Sequence, residues 1–320
     1  MVFPLVIYWG SLLKLNYLKQ IFKLTRISIV LAVLPIFFLG SLFALLTGVE
    51  FSLSKFLWGF LILFLIEIGA SFANDYFDYE ADKYNRQFGF SGGSGVLIKY
   101  PELLPFAKWA SITLMVSALI LTIIFIWIAS LPIWVIVYIS VAIFFCWFYT
   151  APPLRLVYRG FGELPHLLAG IMFPGWGYLI LKGTIDLPLL LFAIPFGLLG
   201  LTVILNFEIP DLEADLSGGK KNLIVLKGRL FNFSIIMLLY ALAASYFFIL
   251  AYSGWNSDKF NFLFIALLLL IPTVLSFIAV IKKPVLREKA TKYAILNAIA
   301  GFTVTSLITL YFTLIFLLSI

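Results

Sequence analysis

Long apolar segments alternate with short polar ones along almost the whole chain. Seven runs are nearly free of charge, and each has about the 20 residues that a helix needs to cross a bilayer: 27–49, 56–74, 164–181, 187–207, 230–257, 260–281 and 293–320. An eighth run, 109–154, is charge-free and long enough for two crossings. Because proline stops or kinks a helix, we expect its break at Ser130-Leu131-Pro132. The pattern predicts nine membrane-spanning helices.

The segment before the first run has a different pattern. Within residues 1–26, leucine and phenylalanine recur at helical spacing between basic residues, which are Lys14, Lys19, Lys23 and Arg26. Such a pattern predicts an amphipathic helix lying on the membrane surface. No small-residue cleavage site follows, so we do not expect a signal peptide.

Composition narrows the class of protein. Of the 320 residues, 63% are hydrophobic and only 12% are charged, which is too apolar for the wetted surface of a soluble domain. With one cysteine, Cys146, and one histidine, His166, the chain has no disulfide framework and no His-rich metal centre. We therefore predict an all-α polytopic membrane protein, formed by residues 1–320 as a single integral-membrane domain.

The basic residues predict how the helices are oriented. If the N-terminus lies inside and the spans alternate, 19 of the 22 Lys and Arg residues fall in inside segments, and only Lys55, Lys182 and Lys259 lie outside. Inside loops of membrane proteins are enriched in Lys and Arg, so the net charge of +7 does not indicate nucleic acid binding. We predict a multi-pass cell-membrane protein with cytoplasmic N-terminus and loops and an external C-terminus.

Two acidic stretches stand out because each follows an apolar run. The first spans 74–82 and the second spans 206–215. Both contain Asp-x-Glu-Ala-Asp, at 78–82 and at 211–215. Four predicted helices separate the copies, which predicts two pseudo-repeat halves with the motifs on cytoplasmic cap loops. Repeat halves with a site between them are common in membrane proteins that handle substrates.

The helical phase of the acids predicts a cation site. On a helix, Asp75, Asp78 and Asp82 lie near one face, and Asn74 is one turn before Asp78. Like charges at this spacing repel one another, so two such motifs facing each other need cations between them. Oxygen ligands without Cys or His favour a hard cation, Mg²⁺ before Ca²⁺, with positions left for substrate phosphate. The alternative is that the acids only cap helices and are solvated.

Basic and aromatic residues near the motifs are further candidates. Lys220 and Lys221 follow the second motif, and Arg155 and Arg159 follow the predicted fourth span; either pair can bind phosphate, and an arginine can bind a carboxylate. Tyr149 can face a reacting cation through its ring. Each group has an alternative, because lysines are usual on inner loops and an aromatic belt with arginines is usual at a membrane interface.

Two other features leave alternatives open. The segment Ser91-Gly92-Gly93-Ser94-Gly95 can present backbone N–H groups to a phosphate or form a flexible turn. Glu67 lies inside the second span, where a carboxylate is a functional candidate or a neutral hydrogen-bonded group. His166 can act as a base, although a lone histidine is more often structural.

The paired motifs resemble the signatures of the UbiA superfamily of intramembrane aromatic prenyltransferases. Asn74-Asp75-x-x-Asp78-x-x-x-Asp82 is similar to its first signature, and Asp211-x-x-x-Asp215-x-x-x-x-Lys220 is similar to its second. The resemblance covers the whole chain, because members have nine helices with the motifs after helices 2 and 6. It implies Mg²⁺-dependent transfer of a polyprenyl group from its diphosphate to an acceptor.

The resemblance also implies roles for particular residues. Metal and diphosphate binding is expected of Asn74, Asp75, Asp78, Asp82, Asp211 and Asp215, with Lys220 for phosphate. Together with the candidates given above, we expect catalytic roles of Asp78, Asp82, Asp211, Asp215 and Tyr149. We expect substrate binding of Asn74, Lys220, Lys221, Arg155, Arg159 and Asn206. The expected partners are a polyprenyl diphosphate, an aromatic acceptor and the lipid bilayer, with no nucleic acid and no obligate protein partner.

This chain departs from many relatives in the second motif. Pro210 stands where an arginine is common before the first aspartate, and Leu216 where a basic residue is common after the last, so another cation must contact the phosphates. The segment 85–97 and the stretch that begins at Asn206 look more like the branch that prenylates 1,4-dihydroxy-2-naphthoate for menaquinone than like those acting on 4-hydroxybenzoate or geranylgeranylglyceryl phosphate.

A transporter is the alternative from another class, since it too is polytopic with repeat halves and buried carboxylates. Transporter sites lie near the bilayer midplane, whereas most acids here lie at the predicted cytoplasmic rim. We therefore favour the enzyme.

Overall fold

A computed structural model describes residues 15–85, 88, 90–91, 93–255 and 259–319. Within these ranges every regular element is helical. Nine apolar helices form the bundle: α1 (Ile27–Leu46), α2 (Leu53–Phe77), α3 (Leu104–Ala129), α4 (Val135–Phe148), α5 (Glu163–Lys182), α6 (Leu187–Glu208), α7 (Arg229–Tyr252), α8 (Phe262–Lys282) and α9 (Arg287–Ser319). Short helices lie between them where the chain is polar.

Eight of the nine predicted spans, in the described part of the chain, are helices long and apolar enough to cross a membrane. The remaining one, α4, has 14 residues and is about 21 Å long, shorter than the hydrocarbon core. The expected break in the 109–154 run is confirmed, because α3 ends at Ala129 and Ser130 takes a left-handed conformation with φ 52°. Beyond Phe148 the chain turns instead of continuing the helix, so a full ninth span is not confirmed.

The N-terminal segment is helical over Leu15–Leu24, and Arg26, with φ 47°, separates it from α1. One face of this helix packs on protein, because Leu24 is buried in a small core with Phe72 and Val96. The amphipathic helix therefore lies against the end of α2 that carries the first acidic motif. Residues 1–14, which include Lys14, and also Arg86 and Gly92, lie outside the described residues.

Glycines let the central helices approach one another closely. A Cβ placed on Gly40 of α1 would lie 1.9 Å from the carbonyl oxygen of Pro174 in α5, and one on Gly177 would lie 2.0 Å from that of Phe37. A Cβ on Gly170 of α5 would likewise lie 2.1 Å from the carbonyl oxygen of Phe196 in α6. Close backbone contact at small residues is how helices associate where lipid removes the hydrophobic driving force. Helix α5 thus forms the centre of the bundle, between α1 and α6.

The largest aromatic cluster and the acidic motifs lie at opposite ends of the bundle. Phe43, near the end of α1, stacks on Phe192, near the start of α6, with ring centroids 4.2 Å apart. Tyr178, Trp255 and Phe260 surround this pair. Packing therefore fixes the helices at one end, which leaves the end of α2 and α6 for polar residues.

Two apolar cavities open along the bundle. A groove of about 750 Å³ runs between α1, α2 and α9, and Ser306 and Thr309 are among its few polar residues. A smaller cavity between α2, α4 and α5 has Glu67 in its wall. The groove is the larger space for an apolar chain.

Candidate active site

Both acidic motifs begin in the last turn of a long helix and continue into a short helix. After α2 the amide of Asp78 still donates to the carbonyl oxygen of Asn74, at 2.9 Å, and a second helix covers Tyr79–Asp82. After α6 a 3₁₀ turn, Ile209–Asp211, leads into the helix Leu212–Ser217. The five motif aspartates are buried, namely Asp75, Asp78, Asp82, Asp211 and Asp215. Burial of so many carboxylates requires compensating positive charge.

Lys220 joins the two motifs. Its Nζ lies 3.0 Å from Asp78 Oδ2 and 3.1 Å from Asp215 Oδ1. Burial by itself lowers the pKa of this lysine, but the carboxylates of Asp78 and Asp215 raise it well above the usual value. Gly219, with φ 78°, makes the turn that brings Lys220 back to the motif, where its amide donates to the carbonyl oxygen of Asp215. Lys220 thus contacts an aspartate of each motif, while a shared metal centre stays a prediction.

The site retains an excess of negative charge. Burial, and then the neighbouring Asp78 carboxylate, raise the pKa of Asp82 to about 8. No three acidic, His or Cys side chains among the described residues are grouped tightly enough to hold a metal ion as they stand. Hydroxyl groups and cationic side chains contact Asp75, Asp78, Asp211 and Asp215. The donor set nevertheless fits a hard divalent cation, since it consists of carboxylate and amide oxygens.

Arg26 and the glycine-rich segment contact the first motif. Arg26 forms an ion pair with Asp75, and its Nε is buried without a hydrogen-bond partner in the described residues. The backbone amide and hydroxyl of Ser94 also donate to Asp75. A Cβ on Gly93 would lie 2.6 Å from Asp82 Oδ2, so only glycine allows this close approach. The segment therefore lies against the acids, while phosphate binding by its amides stays a prediction.

The same segment reaches the second motif. The Ser91 hydroxyl donates to Asp211 Oδ1 at 2.9 Å. Ser91 and Ser94, three residues apart, thus connect the two motifs. Neither serine stood out in the sequence as an individual candidate.

The connection between α4 and α5 contributes tyrosine and threonine hydroxyls. The Thr150 hydroxyl donates to Asn74 Oδ1 at 3.1 Å, and the Tyr158 hydroxyl donates to Asp78 Oδ1 at 2.7 Å. The Arg155 guanidinium lies over the Tyr158 ring, 3.9 Å from its centroid, so Tyr158 stands between it and Asp78. Arg159 is exposed and donates to the carbonyl oxygen of Pro153, away from the carboxylates.

The other predicted site residues lie at different depths. Tyr149 stands edge-on to the His166 ring, with centroids 5.3 Å apart, and is within electrostatic reach of Asp78 and Lys220. The side chain of Lys221 is exposed, while its amide donates to the carbonyl oxygen of Val157. Asn206 is fully buried and donates to the carbonyl oxygen of Thr202 within α6. Of these three, the structure brings only Tyr149 toward the acids.

Two arginines, Arg229 and Arg287, bind groups of the second motif. In the sequence they were assigned only to the positively charged inside loops. Arg229 donates to both carboxylate oxygens of Glu213, at 2.8 and 2.6 Å, and to the carbonyl oxygen of Ile209. Arg287, at the start of α9, donates to the carbonyl oxygen of Pro210 at 2.8 Å and contributes positive charge at Asp211. Another cation thus does stand beside the position where many relatives have arginine. The sequence around Pro210 does not indicate this arginine, because Arg287 is 77 residues away along the chain.

Glu208 is a further residue without an assigned role. It ends α6, its side chain is buried, and neither carboxylate oxygen has a hydrogen-bond partner among the described residues. The signal was present in the sequence, because Glu208 lies within the second acidic stretch.

A sequence comparison identifies the family. The profile of the UbiA prenyltransferase family matches residues 32–299. The chain belongs to the UbiA prenyltransferase family. Its members are enzymes that transfer prenyl groups, so the protein is a prenyltransferase and not a transporter. No curated protein sequence matches the chain.

Solved structures share the UbiA fold with this chain. A UbiA homologue from Archaeoglobus fulgidus, bound to DMAPP and Mg²⁺, has 16% sequence identity and a TM-score of 0.64, covering 90% of this chain and 99% of its own. A digeranylgeranylglyceryl phosphate synthase structure has 20% identity and a TM-score of 0.63, covering 92% and 98%. An apo UbiA homologue from Aeropyrum pernix K1 has 16% identity and a TM-score of 0.56, covering 83% and 96%.

Proposed function

We propose that this UbiA-family enzyme transfers a polyprenyl group from an allylic diphosphate to an aromatic acceptor, with Mg²⁺ bound by the two acidic motifs. The observation that carries the proposal is the convergence of both motifs on Lys220. The A. fulgidus homologue was solved with a prenyl diphosphate and Mg²⁺, which supports the same cofactor here. The proposed metal-binding residues are Asn74, Asp75, Asp78, Asp82, Asp211 and Asp215.

The residues have distinct tasks in this proposal. Mg²⁺, when bound, neutralises the diphosphate and stabilises it as a leaving group. Lys220 and Arg26 would hold the same diphosphate through charge-assisted hydrogen bonds, and the aspartates that they contact are among the residues that would hold the metal. The C–O bond breaks with its electron pair on the diphosphate, and the allylic cation is attacked by the acceptor. The Tyr149 ring lies where it can stabilise that cation, and the bundle excludes water.

We propose 1,4-dihydroxy-2-naphthoate as the acceptor. Its ring is electron-rich, and the loss of its carboxylate as CO₂ returns the bonding electron pair to the ring as the prenyl group takes that position. Arg155 and Arg159 lie on the exposed connection after α4 and are proposed to hold the carboxylate as it enters. The support is the resemblance of the segments around the motifs, since ring size is not determined by the contacts described above.

Geranylgeranylglyceryl phosphate is the second candidate acceptor, and the likeness to a digeranylgeranylglyceryl phosphate synthase structure favours it. The deciding experiment gives the purified protein Mg²⁺, one prenyl diphosphate and, in separate reactions, 1,4-dihydroxy-2-naphthoate, 4-hydroxybenzoate or geranylgeranylglyceryl phosphate. We expect product from the naphthoate. Product from the third acceptor alone would overturn the aromatic proposal and leave a lipid synthase.

We propose that the prenyl tail lies in the groove between α1, α2 and α9. The groove is almost entirely apolar, and Ser306 offers a small side chain in its wall. Ser306→Trp should shorten the longest prenyl diphosphate that is used, whereas Val274→Trp, on an exposed face of α8, should not. Unchanged chain-length preference in Ser306→Trp would place the tail elsewhere.

We propose that the acidic motifs face the cytoplasm and that the C-terminus lies outside, because of the uneven distribution of Lys and Arg. Ser217 and Ser253 are exposed residues on opposite sides of this assignment. An impermeant thiol reagent added to intact cells should label Ser253→Cys and not Ser217→Cys. The reverse result would invert the orientation.

A further inference from the structure

Glu208 occupies an unusual position at the end of α6. Its side chain is only 4% exposed, and both carboxylate oxygens lack a hydrogen-bond partner in the described residues. A buried carboxylate without partners is costly. The last turn of α6 therefore carries this group for a purpose other than packing.

The groups around Glu208 are already engaged with other partners. Lys220 is bound to Asp78 and Asp215, and the amide nitrogen of Asn222 donates to Asp215 Oδ2 at 2.7 Å. Glu163 accepts the backbone amide of Leu223. The charged groups around Glu208 are Glu163, Asp215 and Lys220. The Asn222 side chain also lies close to the Glu208 carboxylate, but neither carboxylate oxygen has a partner at hydrogen-bond geometry among the described residues. The carboxylate can therefore take a further donor from a bound molecule.

Glu208 also lies within electrostatic reach of Tyr149, whose ring contacts His166. It stands three residues before Asp211, at the end of α6, and Asp215 and Lys220 are among its charged neighbours. A molecule between Tyr149 and the carboxylates would therefore reach it.

We propose that Glu208 accepts a hydrogen bond from the hydroxyl group of the acceptor. This inference rests on the proposed prenyl transfer but not on which acceptor is used, because all three candidates carry a hydroxyl group. A carboxylate repels the carboxylate or phosphate of an acceptor and attracts its hydroxyl, so the contact fixes the acceptor's orientation. It also raises the electron density of the attacking group as charge develops. No proton or electron is consumed at Glu208.

The test uses purified protein with Mg²⁺, one prenyl diphosphate and whichever of the three acceptors the wild type converts. Glu208→Gln and Glu208→Ala should each raise the KM for the acceptor roughly 10- to 100-fold. The KM for the prenyl diphosphate should change less than about twofold, which also shows that the variants are folded. Glu163→Gln is the matched control, because that neighbouring carboxylate already has a backbone partner, and its acceptor KM should change less than about threefold.

For an aromatic acceptor, the methyl ether at the contacted hydroxyl sharpens the test. It should be a poor substrate for the wild type, and the penalty for methylation should largely disappear in Glu208→Ala, which has no side-chain acceptor. An unchanged acceptor KM would overturn the proposal, as would a rise confined to the prenyl diphosphate KM and the Mg²⁺ requirement. If the wild type converts none of the aromatic acceptors, the aromatic function fails, and Glu208 is still tested on geranylgeranylglyceryl phosphate.

Discussion

The two acidic motifs have similar sequences, but the groups that hold them come from different distances along the chain. In the first motif, Asp75 is bound by Arg26, 49 residues away, and Asp78 by Tyr158, 80 residues away. In the second, Asp215 is bound by Lys220 and Asn222, the latter seven residues away. The first motif is held by distant groups. In the second, the Asp215 side is held by its own segment, whereas Asp211 accepts from Ser91, 120 residues away.

This difference indicates how the site assembles. The second motif turns back on itself through Gly219, and Arg229 fastens its Glu213, so its shape depends on nearby residues. The first motif has its shape only when the N-terminal helix, the 91–95 segment and the α4–α5 connection are in place. Lys220 then connects Asp215, which is held by its own segment, to Asp78 of the first motif, which is held by distant residues.

The largest effect is expected from the acids themselves. Asp78→Ala and Asp211→Ala should each lower turnover by more than about 100-fold, because both motifs contribute to one stabilised leaving group. Glu80→Ala is the matched control, since Glu80 belongs to the first motif but its side chain is exposed. Steady-state turnover in detergent, with thermal melting to verify the fold, measures this. Activity above about a tenth of wild type in either Asp variant would contradict a shared centre.

Next in size is the link between the motifs. Lys220→Ala should lower kcat/KM for the prenyl diphosphate by roughly 10- to 100-fold, because it removes a buried charge-assisted contact. Lys221→Ala should change it less than about threefold, because that side chain is exposed. Equal effects at the two positions would show that the lysines act only through general positive charge.

A smaller effect separates the two arginines. Arg26→Ala should raise the KM for the prenyl diphosphate about 10-fold, because its guanidinium is bound directly to a motif carboxylate. Arg287→Ala should raise it about threefold, since its Nε is bound to a backbone carbonyl and only its charge reaches Asp211. A larger effect at Arg287 would mean that it, and not Arg26, replaces the arginine missing at Pro210.

The smallest effect is expected from the serines that connect the motifs. Ser91→Ala and Ser94→Ala each remove hydroxyl hydrogen bonds to a motif aspartate, which corresponds to roughly a 3- to 10-fold change in KM for the prenyl diphosphate. Asp75 keeps Arg26 and the backbone amide of residue 94 when the Ser94 hydroxyl is removed, whereas Asp211 loses the hydroxyl that reaches it from 120 residues away. Ser91→Ala should therefore have the larger effect, and a larger effect of Ser94→Ala would contradict this difference between the motifs.

Local pattern determined much of this protein. Apolar runs of membrane length predicted the long helices, because each helix satisfies its own backbone hydrogen bonds in lipid. The break at Ser130-Leu131-Pro132 and the phase of Asp75, Asp78 and Asp82 followed from the same local rules. The paired motifs also indicated the family that the profile match then established.

Contacts between distant residues decided the rest. The length of α4, the pairing of Arg26 with Asp75 and the position of Arg287 beside Pro210 depend on how helices pack, which no spacing along the chain reveals. Lys220 and Lys221 illustrate the limit, because they are chemically identical neighbours. The turn at Gly219 and the position of α2 direct Lys220 into the acids, while Lys221 is left exposed. Lys220 binds the acids because it is buried, and a charge removed from water must find its partner within the fold.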